Sequence, residues 1–143
     1  RSSDLQAIGK NVNNQNTTND FDEIDQHLNM SNYTDSIKNT YTNTTNIKNT
    51  TQTTVFSRKI NNIPVVNSIN NTNFKTGILW DKSDDTDLEY SFDDKEDLVF
   101  TAIINKQKQG AYGIYDYEVK VPARLREYDK TNTKEAVFYL EIY

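Results

Sequence analysis

Between Asp81 and Asp97 the chain gathers its densest run of carboxylates: Asp81, Asp84, Asp85, Asp87, Glu89, Asp93, Asp94, Glu96 and Asp97. Oxygen ligands on a flexible loop suit a hard cation, and calcium takes about six to eight of them. Asp84, Asp85 and Asp87 share one loop and are the candidate calcium ligands. The EF-hand spacing is missing, with neither the Gly nor the closing Glu at the required offsets. The plainer role for the run is a solvated acidic loop that keeps the molecule soluble. Paired carboxylates also serve glycoside hydrolysis, about 5–10 Å apart across a cleft. Here they crowd on neighbouring loops of a short chain, so a carboxylate-based hydrolase is the least supported alternative.

Other reaction centres lack material. His27 is the single histidine and there is no cysteine. Disulfides, thiolate catalysis and Cys-based zinc sites are therefore excluded together. A Ser-His-Asp arrangement needs a rigid scaffold around its base, and His27 lies in a polar segment on what reads as a short surface helix. Glycines stand only at 9, 77, 110 and 113, too few and too dispersed for a phosphate-cradling loop. The expectation is a protein that is not an enzyme and carries no cofactor beyond the candidate calcium.

Two surface chemistries remain. Tyr90, Tyr115, Tyr117 and Tyr139 fall on strand-like stretches; such rings are usually core or rim residues, and the alternative is an aromatic platform for carbohydrate. Asn-x-Ser/Thr triplets begin at Asn16, Asn29, Asn32, Asn43, Asn49 and Asn70. In a secreted protein these are glycan acceptors. A chain this rich in Asn and Thr generates several by chance, so position carries the weight: all lie in the first half and none falls inside a strong strand.

The elements that must position these residues divide the chain unevenly. Residues 1–54 are dominated by Asn and Thr and read as a polar stem or linker, partly helical or disordered. Within it Leu5, Ile8 and Val12 keep helical spacing. Phe21, Ile24 and Leu28 do so behind Asp20, a candidate N-cap with Glu23 three residues on. Tyr33, Ile37 and Tyr41 extend the stripe. From Val55 the period changes to two. Strands are expected at 53–60 and 63–69 with Asn61-Asn62 as the turn, then at 74–80, 87–92 and 97–105. A turn at Gln109-Gly110 leads to a strand at 112–121 that Pro122 ends. A charged connection over 123–134 precedes a last strand at 136–143. Several short strands with no long helix among them predict an all-β domain over 55–143, a small Ig-like β-sandwich.

The formal net charge is −5 and the basic residues are spread along the chain, so no nucleic-acid footprint is expected. No apolar run reaches the length of a membrane span, so this segment does not insert directly. The chain begins at Arg1 rather than Met, so it is not read as a complete primary translation product, and a signal peptide or apolar anchor cut away upstream is compatible with it.

The phrases "GILWDKSDDTD", "KEDLVF" and "YGIYDYEVKVPARLREY" within residues 74–143 resemble archaeal cell-surface proteins, including methanogen proteins with pilin-like N-terminal signals. That resemblance implies an exported, displayed protein and no enzyme activity. The first expectation is therefore a non-catalytic extracellular or cell-surface domain, structural or adhesive, in a filament or in surface display. A calcium- or carbohydrate-binding module is the alternative. Self-association or surface assembly is the expected partnership, with residues 51–60 as the candidate donor segment for a neighbour's sheet edge.

Overall fold

The structure, a computed structural model, describes residues 3–9, 17–68, 71–87, 96–105, 107–109 and 119–122. In chain order the elements are β1 (Leu5–Ala7), α1 (Asn19–His27), α2 (Ile37–Tyr41), β2 (Thr42–Asn43), β3 (Asn46–Ile47), β4 (Thr50–Val55), β5 (Arg58–Ser68), β6 (Asn71–Asp81) and β7 (Asp97–Ile104). The sheets are antiparallel throughout and the architecture is all-β.

β6 organises the main sheet because both its faces are apolar. Phe74, Thr76, Ile78 and Trp80 alternate with Gly77 and Leu79, and all are buried. β7 runs along one edge from Phe74↔Ile104 to Asp81↔Asp97. It uses both faces as the sequence predicts: Leu98 and Phe100 pack on one apolar cluster, Val99 and Ile103 on the other. The opposite edge of β6 is shared. β5 pairs there through Val65↔Gly77 and Val66↔Thr76, and β1 continues it through Leu5↔Asp81 and Ala7↔Leu79. Gly77 is the point of closest approach. A Cβ there would lie 2.9 Å from methyl carbons of both Ile63 and Thr101, so only glycine lets the flanking strands pack across β6.

The hairpin of β4 and β5 departs from expectation. Its turn is Phe56-Ser57, with φ of 45° and 67°, inside the stretch expected as one strand. Positive φ at both central residues belongs to the type I′ turn, whose twist suits a two-residue hairpin. Asn61-Asn62 is not a turn but lies within β5. Pairing shifts there, with Thr51 opposite Ile63 and Thr53 opposite Ile60. The extra residue on β5 is a bulge, with Asn62 left-handed at φ 58°. It keeps Ile60 and Ile63 buried in the same cluster although they are three residues apart.

The Asn/Thr-rich half also differs from a stem. Leu5–Ala7 is a strand rather than a helical turn, because Leu5, Gln6 and Ala7 pair with the end of β6. Ile8, Phe21, Ile24, Ile37 and Tyr41 form one buried cluster with Ile78 and Trp80. α1 and α2 thus cover one face of the sheet, and the 54/55 boundary drawn from composition falls inside β4. Residues 3–9 and 17–54 have few apolar side chains, but those few are concentrated in the core. Sparse apolar content is compatible with folding when the remaining domain supplies the opposing surface.

Of the strand expected at 87–92 all but Asp87, of that at 112–121 residues 112–118, and all of that at 136–143 lie outside the described residues, as do Gly110, the connection over 123–134, and Tyr90, Tyr115, Tyr117 and Tyr139. Val119 and Val121 are exposed and belong to no strand, while Pro122 is buried. Among the described residues no helix is long and apolar enough to cross a membrane.

Candidate functional site

The acidic loop begins where β6 ends. Asp81 Oδ1 accepts a hydrogen bond from Ser83 N at 2.9 Å and caps the single 3₁₀ turn Lys82–Asp84. Asp85 Oδ1 accepts from Asp87 N at 3.1 Å. These are local Asx turns, in which a short carboxylate satisfies the backbone two residues on. Asp84 and Asp87 are exposed and Asp85 is half-buried. Among the described residues no three His, Cys, Asp or Glu side chains gather as a metal-holding group. The calcium candidates Asp84, Asp85 and Asp87 are thus neighbours in one loop whose geometry is set by its own backbone.

Within the acidic run Glu96 is buried, and two further buried carboxylates, Asp20 and Asp25, tie segments of the helical layer together. Asp20 is buried in α1 and its Oδ2 accepts from Gly9 N at 2.9 Å, joining the exit of β1 to the helix. The N-cap falls two residues before the expected Asp20: helix α1 starts at Asn19 behind Thr18, which makes no side-chain cap bond. Gly9 has φ +82°, and a Cβ on it would lie 2.7 Å from Ile47 Cδ1, so the glycine is needed both for conformation and for space. Asp25 accepts from Ile37 N at 2.8 Å and Lys38 N at 3.2 Å. It caps α2 from the neighbouring helix, beside the Ser36 hydroxyl that accepts from Asn39 N. Burial raises the Asp25 pKa above the ordinary carboxylate value, against the opposing pull of the Ser36 hydroxyl and the two N–H groups. Both carboxylates accept from backbone N–H groups, as brackets between segments do.

His27 is exposed in the last turn of α1, as its sequence context predicts. Tyr41 is fully buried, with its hydroxyl donating to Thr76 O at 3.5 Å, and burial pushes its phenol pKa up. It is a core residue. Of the acceptor asparagines, Asn29, Asn32, Asn43 and Asn49 are described and all four are exposed. Asn29 is left-handed at φ 52° just past α1. Asn32 lies between the helices, Asn43 in β2 and Asn49 ahead of β4. Asn16 and Asn70 lie outside the described residues.

Two features of the hairpin escaped the sequence reading. One is a shallow, uncharged depression of about 450 Å³ over the bulge, lined by Thr50, Thr51, Gln52, Asn61 and Asn62. The other is the turn itself, where Phe56 is 64 % exposed. A charge pattern marks the same region. No Asp or Glu occurs between Ser36 and Trp80, whereas Lys38, Lys48, Arg58, Lys59 and Lys75 do. Dispersed basic residues hide this pattern; the missing acids reveal it.

No family model, no curated protein sequence and no solved structure matches this chain.

Proposed function

We propose that the chain is a non-catalytic extracellular module with a structural or adhesive role at a cell surface. The observation that carries this reading is the exposure of every described acceptor asparagine, Asn29, Asn32, Asn43 and Asn49. All four sit in or beside the helical layer and its connections, where a glycan meets no packed neighbour. The buried carboxylates Asp20 and Asp25 are taken up as brackets, which leaves them without the open face that general acid–base chemistry needs. The likeness of residues 74–143 to archaeal surface proteins adds to the same reading.

Burial of both faces of β6 favours a sandwich, and an Ig-like one is proposed. The helices account for one face, yet Ala7, Ile63, Val65 and Leu79 on the other are equally buried. Two buried faces are the mark of a sheet between layers. The test is the native protein itself. Cell fractionation followed by intact mass, with and without glycosidase, is expected to find glycan-bearing protein outside the membrane. A bare mass from the cytoplasmic fraction would overturn the proposal.

A further inference from the structure

The bulge in β5 changes which side chains reach the surface. In a regular strand neighbours alternate between faces. Here Thr51 lies opposite Ile63 and Thr53 opposite Ile60, so Gln52 faces two residues, Asn61 and Asn62, where an unbroken ladder has one. Asn62 takes up the extra residue at φ 58° and returns Ile63 to the core. Asn61 and Asn62 are therefore both exposed, between the buried Ile60 and Ile63. Two adjacent carboxamides face a third on Gln52, beside the hydroxyls of Thr50 and Thr51, and these five side chains line the depression of about 450 Å³.

The lining is neutral and made for hydrogen bonds. Each carboxamide has donor hydrogens and an acceptor oxygen, and each hydroxyl both donates and accepts. Among the described residues none is bonded to any of these five side chains. The adjacent cation is engaged elsewhere, since Lys48 Nζ donates to Asn39 O at 2.6 Å and Thr40 O at 3.2 Å at the end of α2. A lining with no ion and no aromatic ring has little hold on a phosphate, a metal or an apolar ligand. It matches a saccharide, whose hydroxyls also donate and accept.

Depth decides which saccharide. The volume falls within the about 300–1,000 Å³ of small-molecule sites, but those sites enclose most of their ligand, and this one is open. A free sugar would hold here only weakly. A sugar tethered at its rim is presented at about millimolar effective concentration without any further contact. The sequence supplies that tether. Asn49-Thr50-Thr51 is an acceptor triplet, and its second and third residues are two of the five lining residues. Asn49 is exposed, and its carbonyl accepts from Val65 N at 3.0 Å, which fixes the acceptor in register beside Thr50. The triplet of Asn43 offers no such seat. It ends at Thr45, whose hydroxyl accepts from Asn46 Nδ2 at 3.2 Å, beside a cleft of about 80 Å³, a few waters in size.

We propose that the depression over the bulge seats the first sugars of a glycan carried on Asn49, so that this glycan is ordered on the hairpin. Attachment joins Asn49 Nδ2 to the anomeric carbon of an activated sugar donor, which gives up its phosphate-linked carrier as the amide loses one proton. Exposure gives a glycan room at all four described acceptors; at Asn49 the neighbouring surface also gives it hydrogen bonds. The inference deepens the surface-module reading and rests on it for the presence of glycan.

Hydrogen exchange read by mass spectrometry on the native glycoprotein, with glycopeptide masses giving occupancy, tests the seat. Peptides covering residues 50–62 are expected to exchange at least fivefold faster in Asn49→Gln than in the native protein, and no faster in Asn43→Gln. Gln52→Ala/Asn61→Ala keeps the triplet and changes only exposed side chains. It is expected to stay occupied at Asn49 yet exchange as fast as Asn49→Gln, with no further change when the two are combined. An occupied Asn49 that slows nothing, a lining variant as protected as the native protein, or a bare Asn49 beside an occupied Asn29, Asn32 or Asn43 would each overturn the inference and leave the surface reading standing. A bare protein from the cytoplasm would remove both.

Discussion

Phe21→Ala separates an integrated N-terminal half from a stem most directly. Phe21 is fully buried in the cluster that joins α1 and α2 to Ile78 and Trp80 of β6. A buried Phe removes about 150–250 Å² from water, and truncation to Ala in a packed core costs about 3–5 kcal/mol once the residual cavity is included. Domain stabilities are about 5–15 kcal/mol in total, so this one change removes a large share. With a urea slope of about 2 kcal/mol/M, the unfolding midpoint is expected to fall by about 1.5–2.5 M with the slope unchanged. Asn46→Ala, at an exposed position in β3, is the matched control and is expected to change stability by less than about 0.5 kcal/mol. Urea titration followed by Trp80 fluorescence measures both, since the indole is buried in the same cluster. If Phe21→Ala behaves like the control, α1 does not pack on the sheet and the core described here is wrong.

Gly77→Ala places a Cβ within 2.9 Å of Ile63 and Thr101 and 3.2 Å of Ile103. Overpacking of this kind costs about 1–3 kcal/mol, and calorimetry is expected to show a lower melting temperature; an unchanged one would mean the strands part more easily than drawn. Asp25 carries a raised pKa in the folded state, so the fold holds that proton more tightly than the unfolded chain does. The stability it contributes is complete below the unfolded value of 3.8 and is lost as pH rises through the higher folded value. Asp25→Asn is expected to flatten that part of the stability–pH curve in denaturation at stepped pH, and an identical curve would refute the assignment. Calcium titration followed by melting temperature addresses Asp84, Asp85 and Asp87. The local Asx turns lead to the expectation of no saturable shift, and a shift abolished in Asp84→Asn/Asp85→Asn/Asp87→Asn would restore the calcium reading.

The strands around the only Trp were legible because their pattern is physical. Period two over 74–80 and a near-continuous apolar run over 97–105 leave few alternatives, and β6 and β7 lie where those patterns put them. The hairpin was harder, for a chemical reason. Asn-Asn tolerates left-handed backbone, which a turn and a bulge both need, so residue type alone does not tell them apart. Phe-Ser offers no turn signal, and the strain it carries is visible only in φ. β1 is three residues long, too short for any period to declare itself. The helices were legible in the spacing of Phe21, Ile24 and Leu28 and of Ile37 and Tyr41, but their place in the core was not: counting apolar residues per length overlooks that Ile8, Phe21, Ile24, Ile37 and Tyr41 all reach it. At the candidate site, exposure of the described acceptor asparagines and of His27 followed from their polar context. The exposed Phe56 tip did not, because a left-handed turn at Phe-Ser leaves no mark in residue type.

The slot that β1 occupies has a consequence for how the chain is made. Leu5 finds its place opposite Asp81, so β1, made well before β6, waits for the last residue of β6. Closing so long a loop is entropically costly and slow compared with forming the β4–β5 hairpin, whose partners are adjacent in sequence. Synthesis order and assembly order are therefore opposed at this edge: the hairpin can form while the growing end is still short, whereas Leu5, Ala7 and Ile8 stay exposed until β6 is complete.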